Sequence, residues 1–134
     1  MENANTFVVQ RSNPDTIAQP VGQYSHVTKI SPNAEWYVFS GQIGTDQAGN
    51  IPDDFNQQAT NTLDNIVKVL ASQQLTPDHV VKVNIWATVP IDWDHFYQVW
   101  GATFGATPPS MTVAYVQALG LPELKIELDM WAAG

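Results

Sequence analysis

Hydroxyls, carboxylates and phenols are the reactive material of this 134-residue chain, because it contains no cysteine. Ser110 and Thr112 stand two residues apart in Thr107-Pro108-Pro109-Ser110-Met111-Thr112-Val113-Ala114-Tyr115-Val116. On a strand, that spacing turns both hydroxyls to one face. Pro108 and Pro109 cannot lie inside a central ladder, so the strand starts after them. A strand that is polar at its beginning and apolar at its end suits the floor of a site. Three further groups are expected to converge on it: Tyr24-Ser25-His26, Ser40-Gly41-Gln42 and Glu127. The glycines of Ser40-Gly41-Gln42-Ile43-Gly44 predict a bulge or a close approach of backbone.

Several chemistries are disfavoured at once. Without cysteine there is no thiolate nucleophile and no cysteine-based zinc site. Ser110 is a poor nucleophile candidate, since no His and Asp stand at recognisable triad positions. His26, His79 and His95 are scattered without metal-ligand spacing, so no metal is expected. His79 and His95 read as solvated. His26 alternates with Tyr24 on one strand face, which leaves it either a pocket acid/base group or an interface or surface residue.

The elements that must position these groups follow from pattern. Thr6 to Gln10 reads as a first strand, and Tyr24 to Ile30 as a second. Trp36-Tyr37-Val38-Phe39 reads as a third, running into the glycine-bearing turn. Asp53 or Asp54 caps a helix whose Ala59, Leu63, Ile66, Val67 and Leu70 make one apolar stripe. Val80 to Thr88 reads as a strand closed by Pro90. Asp92 caps a second helix with Phe96, Val99, Trp100 and Phe104 inward and Gly105 as its C-cap. The Ser110 strand follows, then a turn at Gly120-Leu121-Pro122, then a last strand from Leu124 to Trp131. The order β-β-β-α-β-α-β-β predicts one domain over residues 1–134, a two-layer α/β sandwich with both helices on one face of a single mixed sheet. Bulky residues occupy both alternations of the strands, as in Trp36/Val38 and Tyr37/Phe39. The second sheet face therefore needs cover, and self-association supplies it most simply.

Charge narrows the partners. Thirteen acidic residues stand against five basic ones, a net charge of -8. Arg11, Lys29, Lys68, Lys82 and Lys125 are scattered, the opposite of a phosphate-binding footprint. Neither nucleic acid nor an anionic membrane surface is an expected partner. No apolar run approaches ~18 residues and no secretory signal is visible, so a cytoplasmic location is expected. Among five tryptophans, Trp36, Trp86 and Trp131 read as core or interface. Trp93, Tyr97, Trp100 and Tyr115 form either an aromatic wall for a flat or apolar ligand or, for Trp100 above all, plain helix-to-sheet packing.

Five stretches, in order, carry a resemblance. Val21-Gly22-Gln23-Tyr24-Ser25 is similar to I-G-P-Y-S, and Phe39-Ser40-Gly41-Gln42-Ile43 to V-S-G-Q-I. Gln58 to Ile66 looks like Q-x-x-x-x-L-x-N-L, Val80-Val81-Lys82-Val83 like V-V-K-T, and Ile126-Glu127-Leu128-Asp129 like V-E-I-E. Together they resemble the Rid family (reactive intermediate deaminases, YjgF-like) over nearly the whole chain. The resemblance implies a chorismate-mutase-like fold, a homotrimer, and pockets between subunits. It also implies hydrolysis of enamines and imines such as 2-aminoacrylate to a keto acid and ammonia, with no metal or organic cofactor.

Carried over residue by residue, Glu127 positions the attacking water. Tyr24, Ser40, Gly41, Gln42 and Thr112 contact the substrate. The family's P-A-R-S-T-V aligns with Pro108-Pro109-Ser110-Met111-Thr112-Val113, so Ser110 occupies the slot of the arginine that clamps the substrate carboxylate. The chain's one arginine, Arg11, is expected far away on the N-terminal loop. Tyr97 stands where a helix-two asparagine is frequent. Serine offers neither the charge nor the fork of a guanidinium. The substrate is thus expected to be bulkier or less anionic than 2-aminoacrylate. Ser110 is then either a neutral ligand contact or a filler, and Glu127 either catalytic or an interface acid. The alternative function is a non-catalytic trimeric small-molecule binding protein.

Overall fold

Two helices cover one face of a four-stranded mixed sheet in the computed structural model, which describes residues 8–134. The elements are β1 (Val9–Ser12), β2 (Val27–Ile30), β3 (Trp36–Ile43), α1 (Phe55–Ala71), β4 (Val80–Ala87), α2 (Trp93–Phe104), β5 (Ser110–Tyr115) and β6 (Ile126–Ala133). The sheet order is β3-β6-β4-β5, with β4 and β5 parallel and the other neighbours antiparallel. A short 3-10 turn, Pro77–His79, leads into β4.

The single sheet expected from sequence is divided. β1 and β2 pair only with each other, as a separate two-stranded ribbon. Each is four residues long. The ribbon is tied to the approach of β5 by Ser25 N–H donating to the Pro109 carbonyl at 3.2 Å. Pro108 and Pro109 have no N–H to return, which stops a ladder from forming there. The second strand also starts at Val27 and not at Tyr24. The Ser25 N–H is spent on Pro109 and the His26 N–H on Asn13 Oδ1 at 2.7 Å, so neither is free for a ladder. Of the first strand expected at Thr6 to Gln10, Thr6 and Phe7 lie outside the described residues.

Both helices start where their caps predict. The Asp54 carboxylate accepts from Gln57 N–H and the Asp92 carboxylate from His95 N–H. A further bond from the Asn56 side chain, then that from the His95 backbone, holds the Asp92 carboxyl below its usual range. Gly105 ends α2 at φ 74°, a left-handed value that a side chain disfavours. Ala59, Leu63, Ile66 and Leu70 of α1 pack with Phe96, Trp100 and Phe104 of α2 on Val83, Ile85, Leu128 and Met130 of the sheet. Val67 falls outside the stripe assigned to it and is exposed. His95, expected to be solvated, is half-buried: its Nε2 lies 3.1 Å from Thr60 Oγ1 and joins the two helices.

One buried polar side chain organises the outer end of the core. Gln58 is fully buried. Its amide donates to the Pro52 and Glu123 carbonyls at 2.8 and 3.0 Å, and its Oε1 accepts from Lys125 N–H at 2.9 Å. It thus satisfies three main-chain groups from two loops. Gln58→Leu leaves all three without a partner. It is expected to lower stability in urea unfolding by at least about 2 kcal/mol, although leucine adds apolar bulk. An unchanged midpoint would show that these bonds contribute little.

Candidate functional site

The face of the sheet opposite the helices carries the chemistry. Ladder register places Lys82, Asn84 and Trp86 of β4 beside Ser110, Thr112 and Ala114 of β5. On the other side of β4, the same three residues face Trp131, Asp129 and Glu127 of β6. Strand alternation puts all nine on one face, and the residues between them go under the helices. Ser110 and Thr112 share a face, as their two-residue spacing requires, and the register of β4 and β6 brings Glu127 onto it.

Glu127 meets the third strand at an irregularity. The β3–β6 register shifts between Phe39 and Gln42, so Ser40 and Gly41 form a bulge. The Glu127 carboxylate occupies the space a side chain on Gly41 would need, with its Cδ only 2.6 Å from the ideal Cβ position. The bare backbone of Gly41 thus lets the Glu127 carboxylate approach this closely. Gln42 turns back to donate to the Ser40 carbonyl at 3.0 Å.

Ser110 and Thr112 belong to a second cluster. Ser110 Oγ lies 2.7 Å from Thr28 Oγ1 of β2, and Thr112 Oγ1 accepts from Lys82 Nζ at 2.8 Å. Ser25 Oγ donates to the Pro108 carbonyl at 2.6 Å and pins the ribbon beside them. The full convergence expected from sequence does not occur within one chain. Glu127 is level with Ala114, four residues along β5 from Ser110, with β4 between them. Strand geometry then separates the Cα atoms of Ser110 and Glu127 by roughly 16 Å, beyond the span of a molecule as small as 2-aminoacrylate.

Tyr24 and Tyr97 stand apart from both clusters. The Tyr24 hydroxyl accepts from Val21 N–H at 3.2 Å, and its ring meets that of His26 edge-on at 5.6 Å. His26 Nε2 is 2.8 Å from the Ala18 carbonyl, so that nitrogen carries its proton and closes the loop. The Tyr97 hydroxyl fills the space a Gly22 side chain would take, and its ring leans on Trp93 at 5.0 Å. Trp100 is helix-to-sheet packing: it is fully buried and its Nε1 donates to the Gln23 carbonyl at 2.8 Å. Tyr24, Gly22, Ser25 and Pro108 line a cleft of about 400 Å³.

Arg11 is not far away. It sits on β1, and its guanidinium donates to the carbonyls of Thr107, Pro77 and Val80 at 2.7, 2.8 and 2.8 Å. Burial pushes its pKa down, and the nearby Asp78 carboxylate offsets part of that shift. With three main-chain acceptors engaged, it braces the approach to β5.

Sequence reasoning missed the remaining polar residues of the open face. The Asp129 carboxylate accepts from Asn84 Nδ2 at 3.0 Å and from Trp86 Nε1 at 2.7 Å. Lys82, Asn84 and Trp86 alternate with buried Val83 and Ile85. That alternation was the signal that could have found them. Trp36, Val38 and Trp131 remain exposed on the same side, at 54%, 65% and 43%. Among the described residues no helix is long and apolar enough to cross a membrane.

An open-faced α/β sandwich with a bulge-seated glutamate defines a recognisable class. The model of the family described as endoribonuclease L-PSP matches residues 15–134. The protein DfrA of Myxococcus xanthus is 30% identical over 117 residues, 86% of this chain and 88% of that protein. A Rid-family protein of unknown function from Yersinia pestis, YyfB, superposes with a TM-score of 0.83 at 26% identity, over 93% of this chain and 98% of its own. RidA from an Antarctic Psychrobacter shares the fold at a TM-score of 0.67 and 24% identity, over 92% and 98% of the two chains. The chain belongs to the Rid (YjgF-like) family.

The bulge yields a direct test of how the glutamate is seated. Gly41→Ala is expected to displace the Glu127 carboxylate while the core remains intact. A crystal structure of the variant showing Glu127 unmoved would contradict this.

Proposed function

We propose that the protein is a homotrimeric, cofactor-independent hydrolase that deaminates an imine or enamine bulkier than 2-aminoacrylate, in pockets formed between copies of the chain. The observation that carries the reading is the position of Glu127. Its carboxylate lies against bare backbone at the Ser40-Gly41 bulge, and no cation within ion-pair distance neutralises it among the described residues. A carboxylate so placed can orient and deprotonate a water attacking an iminium carbon. Loss of ammonia from the resulting carbinolamine then leaves a carbonyl product.

The separation of Glu127 from Ser110 and Thr112 supports a shared pocket. One copy supplies Glu127 with the Ser40, Gly41 and Gln42 bulge. The adjoining copy supplies Tyr24, Tyr97, Ser110 and Thr112. Exposed Trp36, Val38 and Trp131 give the open face an apolar patch to bury, each side chain contributing on the order of 1–2 kcal/mol when covered. The half-buried Trp93–Tyr97 pair favours a substrate with an aromatic or bulky apolar group. Glu127 and Asp129 make this face unsuited to an RNA backbone. We read the endoribonuclease description as one of the family model and not of this chain's activity.

The second reading, a trimer that binds a small molecule without transforming it, draws on Ser110 standing where the resemblance places an arginine. Ammonia release separates the two. With imines of phenylalanine and of alanine generated in situ, the wild type is expected to accelerate release, more for the aromatic imine. Glu127→Ala is expected to lose about 100-fold or more of that rate. Equal rates for the two proteins would leave only the binding reading.

A further inference from the structure

We infer that Lys82 is the substrate's anion anchor, and that the substrate presents a carboxylate to it across the Ser110–Thr112 hydroxyls. The inference rests on the reading that this face forms the pocket, and it names what one wall recognises. Lys82 projects from β4 directly beside Ser110. Its ammonium finds Thr112 Oγ1 at 2.8 Å, and among the described residues it has no carboxylate partner, although the chain holds thirteen acidic residues. Among the described residues the one salt bridge joins Lys125 to Asp53. Arg11 is committed to three carbonyls. Lys82 is thus the cation that the fold places on the site face.

The hydrogen-bond inventory makes the cluster donor-rich. Thr112 accepts from Lys82 and keeps its own O–H to give. In the Thr28–Ser110 pair one hydroxyl donates to the other, and the acceptor of the two retains a free O–H. The ammonium keeps two further N–H groups. Three of these four side chains, Lys82, Thr112 and one of the Thr28–Ser110 pair, therefore present free donors toward one small area, Ser110 and Thr112 being about 7 Å apart along β5. A ligand group that accepts only, and carries negative charge, fits this arrangement. A carboxylate does, and a neutral amide fits it less well. Lysine provides a point charge and no fork, so binding is monodentate and the hydroxyls set the orientation. On this inference the substrate keeps its negative charge, because Lys82 holds a positive charge on the face that lacks the arginine.

Binding of a product analogue tests this without requiring turnover. Phenylpyruvate and its neutral amide are titrated against the wild type, Lys82→Met, Lys82→Arg, Thr112→Val and Glu127→Gln, with folding checked by circular dichroism. The wild type is expected to bind the carboxylate about tenfold or more tightly than the amide, the margin of one charge-assisted hydrogen bond, and to lose that margin as salt rises. Lys82→Met is expected to abolish the preference, Thr112→Val to weaken it and Lys82→Arg to retain it. Glu127→Gln is expected to keep it, so loss of deaminase activity and loss of the anchor remain separate results. Equal affinity of the wild type for acid and amide, no measurable binding of the acid, or an unchanged preference in Lys82→Met would overturn the inference.

Discussion

Strands β4 and β6 lie side by side at the centre of the sheet, and the alternation of their side chains constrains every other element. One set, Val83, Ile85, Leu128 and Met130, is buried and dictates where the two helices must lie. The other set cannot face a helix, because it holds Lys82, Asn84, Glu127 and Asp129 beside Trp86 and Trp131. Slipping either strand by one residue would bury its two charged or amide groups and expose its share of the core. The register is therefore strongly fixed, and with it the placement of the polar face.

Close contacts give that face its definition. Asp129 is held by an indole and an amide, which satisfies its charge within the sheet. Glu127, two residues away, is instead pressed against the Gly41 bulge. Two carboxylates on one strand thus acquire different roles from their surroundings: one organises its neighbours, and the other remains available. At the far edge the prolines before β5 end the ladder. The β1–β2 ribbon then approaches through Ser25 and Thr28, which adds a hydroxyl to the Ser110 cluster.

Much of this was legible from sequence, because local rules governed it. A first cap at Asp53 or Asp54, the cap at Asp92, the positive-φ glycine at 105 and the strand start after Pro109 are set by backbone chemistry that neighbouring residues decide. The shared face of Ser110 and Thr112 followed from a period of two. What escaped depended on pairing across the chain. Nothing near Arg11 in sequence reveals that it reaches the carbonyls of Pro77, Val80 and Thr107. The charge of Lys82 could be counted, but its position beside Ser110 required the parallel register of β4 and β5. The division of the six strands into a sheet and a ribbon also turned on tertiary geometry. So did the distance between Glu127 and Ser110, which a list of family positions compresses into one site.

That distance makes association the central claim, since no single chain brings the glutamate to the hydroxyl cluster. The mass of the protein in solution, by light scattering at micromolar concentration, tests it most directly. The account predicts about three times the 14.8 kDa chain, with Trp131→Lys reducing the mass. A wild-type mass of one chain would contradict it.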